Sequence, residues 1–212
     1  ASAQTPCSLG TYQPYTGQAS CISASAGYYV DTTASTNQTA CAAGTYQPST
    51  GQTSCLDADA GYFVGSTAST SQTACASGTY QPSTGQSSCL DAPAGTYVDT
   101  MGATSPTDCS AGTYQPSTGQ TSCLDSSPGY YVGTTAATNQ TACGLGTYQP
   151  NSGQISCIDA SPGNYVNTTA ATNQTACDLG TYQPLSGQTS CLEAPAGTYV
   201  DTMGATSPTD CA

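Results

Sequence analysis

Thirteen cysteines stand at positions 7, 21, 41, 55, 75, 89, 109, 123, 143, 157, 177, 191 and 211, so that a short gap, as from Cys7 to Cys21, alternates without exception with a longer one, as from Cys21 to Cys41. Spacing this strict defines a 34-residue period, the signature of a repeat architecture in which each unit packs only on its neighbours. Six full periods follow, at 7–40, 41–74, 75–108, 109–142, 143–176 and 177–210, with residues 1–6 as a lead-in from a preceding repeat and 211–212 opening the next. A longer period overlies this one. Residues 90–109 read LDAPAGTYVDTMGATSPTDC and recur at 192–211 with Glu193 in place of Asp91, which marks a block of three repeats.

Charge then narrows the chemistry. The chain has no lysine, arginine or histidine, and its 12 acids give a formal charge of −12. General acid–base catalysis near neutral pH leans on histidine or on a tuned lysine or carboxylate, so a conventional enzyme is not expected, and no cofactor or metal is assigned. Without cations the chain cannot release counterions from nucleic acid, and nucleic acid and anionic membrane surfaces are excluded as partners. A large core is excluded too: there is no Trp, a single Phe at position 63, and the aliphatic residues are scattered. Small units that cannot bury enough apolar surface are commonly stapled by disulfides in oxidising compartments, so a secreted or cell-surface location is expected. No apolar run approaches the roughly 18 residues of a membrane span, and the sequence starts at Ala1 without a signal-peptide pattern, so a mature or internal segment is expected.

Each period has two halves on one plan. The short half, Cys41 to Ser54, reads C-x-x-G-T-Y-Q-P-x-[ST]-G-Q-x-S; the long half, Cys55 to Ala74, reads C-[LI]-x-[AS]-x-[AP]-G-x-[YF]-V followed by a Thr-rich stretch. In the short half, Thr45, Tyr46 and Gln47 suit extended structure, Pro48 to Gly51 suits a turn, and Gln52 to Ser54 are expected to form the returning arm of a hairpin. In the long half, Tyr62, Phe63 and Val64 are the expected strand, with a looser arm through Ser66, Thr67 and Thr70 returning to Cys75. No segment carries a 3.6-residue apolar stripe. The expected fold is therefore small, disulfide-rich and all-β: an elongated tandem ladder of short hairpins with no helix and no continuous core. Gly44 and Gly61, each just before an aromatic, are expected to supply positive backbone angles or a close approach.

Spacing limits the disulfide connectivity without choosing it. Bridging across the short half joins Cys7 with Cys21, Cys41 with Cys55, Cys75 with Cys89, Cys109 with Cys123, Cys143 with Cys157 and Cys177 with Cys191, leaving Cys211 to a partner beyond the fragment. Bridging across the long half joins Cys21 with Cys41 and leaves Cys7. The short loop is preferred, because closing about 15 residues removes roughly 3 kcal/mol of unfolded-state entropy and its turn returns the ends to bridging distance.

Cys41-Ala-Ala-Gly-Thr-Tyr-Gln-Pro-Ser-Thr-Gly-Gln-Thr-Ser-Cys55 and its copies resemble the C-x-x-G-T-Y…C signature of ephrin-receptor-like cysteine-rich repeats. The pattern is also similar to the first module of the tumour necrosis factor receptor type, and to tandem arrays in large secreted and surface proteins of algae and other protists. The resemblance implies bridged cysteines flanking a G-x-Y hairpin, hence Cys7 with Cys21 and its equivalents, and modules stacked end to end. Receptor repeats carry extra cysteines between modules where this chain has one per boundary, so receptor-type ligand binding is not carried over.

Modification sites are the clearest chemical signals. Asn37-Gln-Thr39, Asn139-Gln-Thr141, Asn173-Gln-Thr175 and Asn167-Thr-Thr169 are N-glycosylation sequons, three of them in one column of the repeat. Ser49, Thr50, Ser83, Thr84, Ser117 and Thr118, each near a proline, are candidates for O-linked sugars. A carboxylate column, Asp57, Asp91, Asp125, Asp159 and Glu193, is read as a solubility feature. Asp57-Ala-Asp59-Ala-Gly61 begins like a calcium loop but lacks the later ligands, so no metal is expected. The aromatic columns at Tyr12, Tyr46, Tyr80, Tyr114, Tyr148 and Tyr182, and at Tyr29, Phe63, Tyr97, Tyr131, Tyr165 and Tyr199, are read as packing, with sugar binding as the sharper alternative.

These readings converge on a structural protein, the repeat segment of an extracellular glycosylated fibre, filament or surface hair whose partners are copies of itself or continuing repeats. The stalk of a cell-surface receptor or adhesin is the alternative. Ice binding is a distant third, since Thr32, Thr33 and Thr36 recur but at too coarse a spacing for a tight lattice.

Overall fold

The computed structural model describes residues 4–211; the first three residues of the lead-in and residue 212 lie outside the described residues. Among the described residues there is no helix, and the 24 strands pair in sequence order into two-stranded antiparallel hairpins. The first of them are β1 (Thr11–Tyr12) with β2 (Ile22–Ser23), β3 (Tyr28–Tyr29) with β4 (Thr39–Ala40), β5 (Thr45–Tyr46) with β6 (Leu56–Asp57), and β7 (Tyr62–Phe63) with β8 (Thr73–Ala74). Each strand is only a pair of residues, and each hairpin is named below by the glycine before its first strand.

The strand register corrects the expectation for the short half and gives the long-half arm its pairing. In the short half the returning strand is not Gln52 to Ser54 but β6, beyond the second cysteine, with Thr45 opposite Asp57 and Tyr46 opposite Leu56. Gln52 to Ser54 instead belong to the loop, because the buried Gln47 side chain ties that loop down: its Nε2 donates to the Ser54 carbonyl at 2.8 Å and its Oε1 accepts from the Ser49 N–H at 3.1 Å. In the long half the partner of Tyr62 and Phe63 is Thr73–Ala74, just ahead of Cys75, and Ser66, Thr67 and Thr70 lie in the connecting loop.

The chain divides into two compact units, and the same construction is found within each. One runs from the start of the described chain to Pro93 and includes Tyr97–Thr107 and Thr118–Thr121; the other comprises Ala94–Thr96, Asp108–Ser117 and the residues from Ser122 onward. In the first unit, the Gly44 N–H donates to the Val64 carbonyl (2.8 Å), the Gln47 N–H to Ser69 (3.0 Å), and the Ala68 N–H back to Cys41 (2.8 Å). One hairpin further on, Gly61 donates to Gln81 (2.7 Å), Val64 to Gln86 (3.0 Å), and Gly85 back to Ala58 (2.8 Å). In the second unit the set recurs as Gly112 to Val132, Gln115 to Ala137 and Ala136 to Cys109. The backbone therefore repeats from Gly44 to Gly61 to Gly78, at half the period of the cysteines. Each hairpin pairs backbone polar groups with the next one, the buried glutamine amides are satisfied within their own hairpins, and no buried side-chain polar atom is unpartnered among the described residues.

Most buried side chains fall in two narrow columns, flanking hairpin glycines such as Gly44 and Gly61 that are buried themselves. Three positions before each hairpin glycine, Cys41, Ala58, Cys75 and Ala92 alternate, all fully buried; three positions after it, Gln47, Val64, Gln81 and Val98 alternate, all within 5% of full burial. The chain also closes on the hairpin after next. Gly44 lies at φ +90°, and a Cβ there would collide with the Gly85 carbonyl; Gly112 stands in the same relation to Gly153. An L-residue is strained at this backbone angle and has no room at this contact.

Candidate functional site

All six short-half pairs are bridged, Cys7–Cys21, Cys41–Cys55, Cys75–Cys89, Cys109–Cys123, Cys143–Cys157 and Cys177–Cys191, with Cα separations of 5.7–5.8 Å. Cys211 is unbridged within the chain and exposed. Only every second hairpin is closed by a disulfide, and the others hold the same backbone by different means.

A shift of one hairpin superimposes the Cys41 slot on Ala58 and the Cys55 slot on Gln72. In the unbridged Gly61 hairpin, the Gln72 Oε1 accepts the Asp59 N–H at 2.7 Å, and its Nε2 donates to the Asp59 carboxylate at 2.6 Å. Gln38 takes the Ser25 N–H, Gln140 that of Ser127 and Gln174 that of Ser161, each at 2.7 Å. An amide clasp thus stands where the neighbouring hairpins have a covalent bond. In the two remaining unbridged hairpins, proline replaces the glutamine at Pro106 and Pro208. There the clasped position is also proline, Pro93 and Pro195, which has no N–H to be taken, so clasp and donor disappear together.

The clasp sits inside the sequons. Gln38, Gln140 and Gln174 are the central residues of the three sequons that share a column, so each amide is turned back into its hairpin while Asn37, Asn139 and Asn173 stay outside it on the loop arm. The third residue of each sequon, Thr39, Thr141 or Thr175, is exposed and opens the returning strand, directly opposite Tyr29, Tyr131 and Tyr165 respectively. In the Gly61 hairpin the same clasp and Thr73 are kept opposite Phe63, but Ser71 replaces the asparagine. Asn167 is exposed, as are Ser49, Thr50, Ser83, Thr84, Ser117 and Thr118, which are the central residues of the Pro-x-x-Gly turns of three bridged hairpins.

The other columns are placed by the same register. Asp57, Asp91, Asp125 and Asp159 are exposed and lie over the turn glycine two hairpins on, their Cγ atoms 3.5–3.7 Å from where a Cβ of Gly85, Gly119, Gly153 and Gly187 would be. Asp59 is engaged by the Gln72 clasp. The aromatic column is half-buried, with Tyr46, Tyr80, Tyr114 and Tyr148 facing Leu56, Leu90, Leu124 and Ile158 across their hairpins. Reading the sequence missed both glutamine roles. The available signals were a Gln before every Pro-x-x-Gly turn and a Gln half a period after Cys21, Cys55, Cys123 and Cys157.

Minimal hairpins, one bridge in every second hairpin and two thin buried columns define a cysteine-rich tandem repeat. Residues 4–41, 61–109, 129–177 and 163–211 each match the model of the tyrosine-protein kinase ephrin type A/B receptor-like family, well over half of the chain in all, and the chain belongs to that family. No curated protein matches it. No helix among the described residues is long and apolar enough to cross a membrane.

Proposed function

We propose that this chain is a structural repeat segment of an extracellular, glycosylated fibre, filament or surface hair, associating with copies of itself or with continuing repeats. The observation that carries this reading is the half-period set of backbone bonds, which each hairpin makes to its successor whatever side chains it bears. Nearest-neighbour repetition of that kind extends without limit and needs no ligand to complete it. The exposed sequons and hydroxyls support a sugar coat, and the disulfides suit an oxidising compartment. Electron cryo-microscopy of native material tests the proposal. Long filaments with a regular axial repeat and branching density at Asn37, Asn139 or Asn173 are the expected result, and isolated bare rods ending in a different domain would overturn it. That second outcome corresponds to the stalk of a receptor or adhesin, a reading favoured by the receptor-like family to which the chain belongs.

A further inference from the structure

The sequon column and the aromatic column meet in three of the unbridged hairpins, those of Gly27, Gly129 and Gly163. From this we infer that the N-linked glycan of Asn37, Asn139 and Asn173 lies on the aromatic ring of its own hairpin, Tyr29, Tyr131 and Tyr165, so that the first sugars become part of the fold. The inference rests on the glycosylated reading proposed above.

Three observations carry it. The clasp removes the central glutamine from the sequon's outer surface and holds the arm in place, leaving asparagine and threonine beside it. The register puts Thr141 opposite Tyr131, and an antiparallel pair presents its side chains on one face, so the sequon ends beside the ring. The ring also leans along its arm toward the loop. In the Gly129 hairpin it lies beside Gly133, where a Cβ would stand at ordinary contact distance, 3.7 Å, from Tyr131 Cε2; Asp31 and Asn167 hold the same place beyond Tyr29 and Tyr165. The tyrosine is half-buried, so one side packs on the hairpin while the remainder is open. An aromatic face carries negative charge density and attracts the electropositive C–H groups of a sugar ring. Both the ring and Thr141 are uncharged, which suits a neutral saccharide.

The same chain contains its own control. The Gly61 hairpin keeps the clasp through Gln72, the threonine at Thr73 and an aromatic at Phe63, but has Ser71 where the sugar would be attached.

The test uses the full chain secreted from a eukaryotic host, as four proteins: parent, Asn139→Gln, Tyr131→Leu and the double variant. Glycopeptide mass spectrometry gives occupancy at Asn139, and hydrogen exchange gives the opening of residues 129–143. Loss of the glycan should speed exchange there about three- to tenfold in the parent background, less than about twofold in the Tyr131→Leu background, and not at all in the Gly61 hairpin. An unoccupied Asn139 would overturn both the inference and the glycan reading at that site. An occupied Asn139 with the same acceleration in both backgrounds, or none in either, would overturn the inference alone. Should Tyr131→Leu disturb the hairpin, the parent still decides: the first sugar's protons should be shifted upfield by the ring in its NMR spectrum, and unshifted protons would overturn the contact.

Discussion

The Gly112 and Gly129 hairpins are adjacent along the chain and share one backbone, yet they solve the problem of closure differently. The first is bridged by Cys109–Cys123 and buries a glutamine, Gln115, whose amide ties its turn through Ser117 and Ser122. The second is closed by the Gln140 clasp on Ser127 and buries Val132. Where closure is covalent, the buried slot is polar and organises the turn; where closure is a hydrogen bond, the buried slot is apolar. Even the fully buried small residue adapts, since Ser126 stands where other unbridged hairpins have alanine and exchanges hydrogen bonds with the Gln154 backbone. The backbone is the constant of this molecule, and the two chemistries are alternative ways of holding it.

The largest perturbation should come from attacking what both hairpins share. Gly112→Val places a branched side chain at φ +89° and against the Gly153 carbonyl, and should cost more than about 3 kcal/mol in denaturant unfolding. A smaller cost, near that of an exposed-loop glycine, would mean the close approach is not structural. The equivalence of the two closures is tested by exchanging them. Ala160→Cys with Gln174→Cys occupies the slots that hold cysteines one hairpin earlier, at Cys143 and Cys157. It should form a bridge on oxidation, seen as the loss of two hydrogens by mass spectrometry, and raise stability by roughly 3 kcal/mol. A pair that stays reduced under oxidant would break the comparison.

The clasp itself should be a modest contributor. Gln140→Ala keeps the sequon but removes the acceptor of the Ser127 N–H, and a loss of about 1 kcal/mol is expected, with faster amide exchange at Ser127. Unchanged exchange would show that solvent replaces the clasp without loss. The smallest effect has the opposite sign. Ala34, Ala68, Ala136 and Ala170 sit at φ +53° to +58°, at turns where the bridged hairpins carry glycine. Ala136→Gly should relieve that strain and stabilise by up to about 1 kcal/mol, set against the extra freedom glycine gives the unfolded chain. Destabilisation would place the greater weight on the unfolded state.

Much of this was legible in the residues because cysteine and glycine report constraint directly. The 34-residue period, the all-β character and the receptor-like repeat could be read from C-x-x-G-T-Y and its copies alone. The returning strands could not, because a strand as short as Leu56–Asp57 cannot show alternation. The two-half plan was legible in the glycine before each aromatic, but the backbone equivalence of the halves was hidden for a different reason. It is written in N–H and carbonyl groups that nearly every residue possesses, and the slots of one column hold cysteine, alanine and serine, which share little but small size. The glutamine clasp was concealed inside a sequon, where the central residue is ordinarily disregarded.

Every disulfide closes a loop of its own hairpin and none ties one hairpin to another. Reductive damage is therefore confined by construction. A severed bond loosens one rung, whose neighbours are closed without disulfides and so are untouched by a reductant, and whose partners along the chain continue to hold its backbone. A chain built this way loses stability by increments, and a cysteine reoxidised after reduction has its correct partner at the other end of the same short loop.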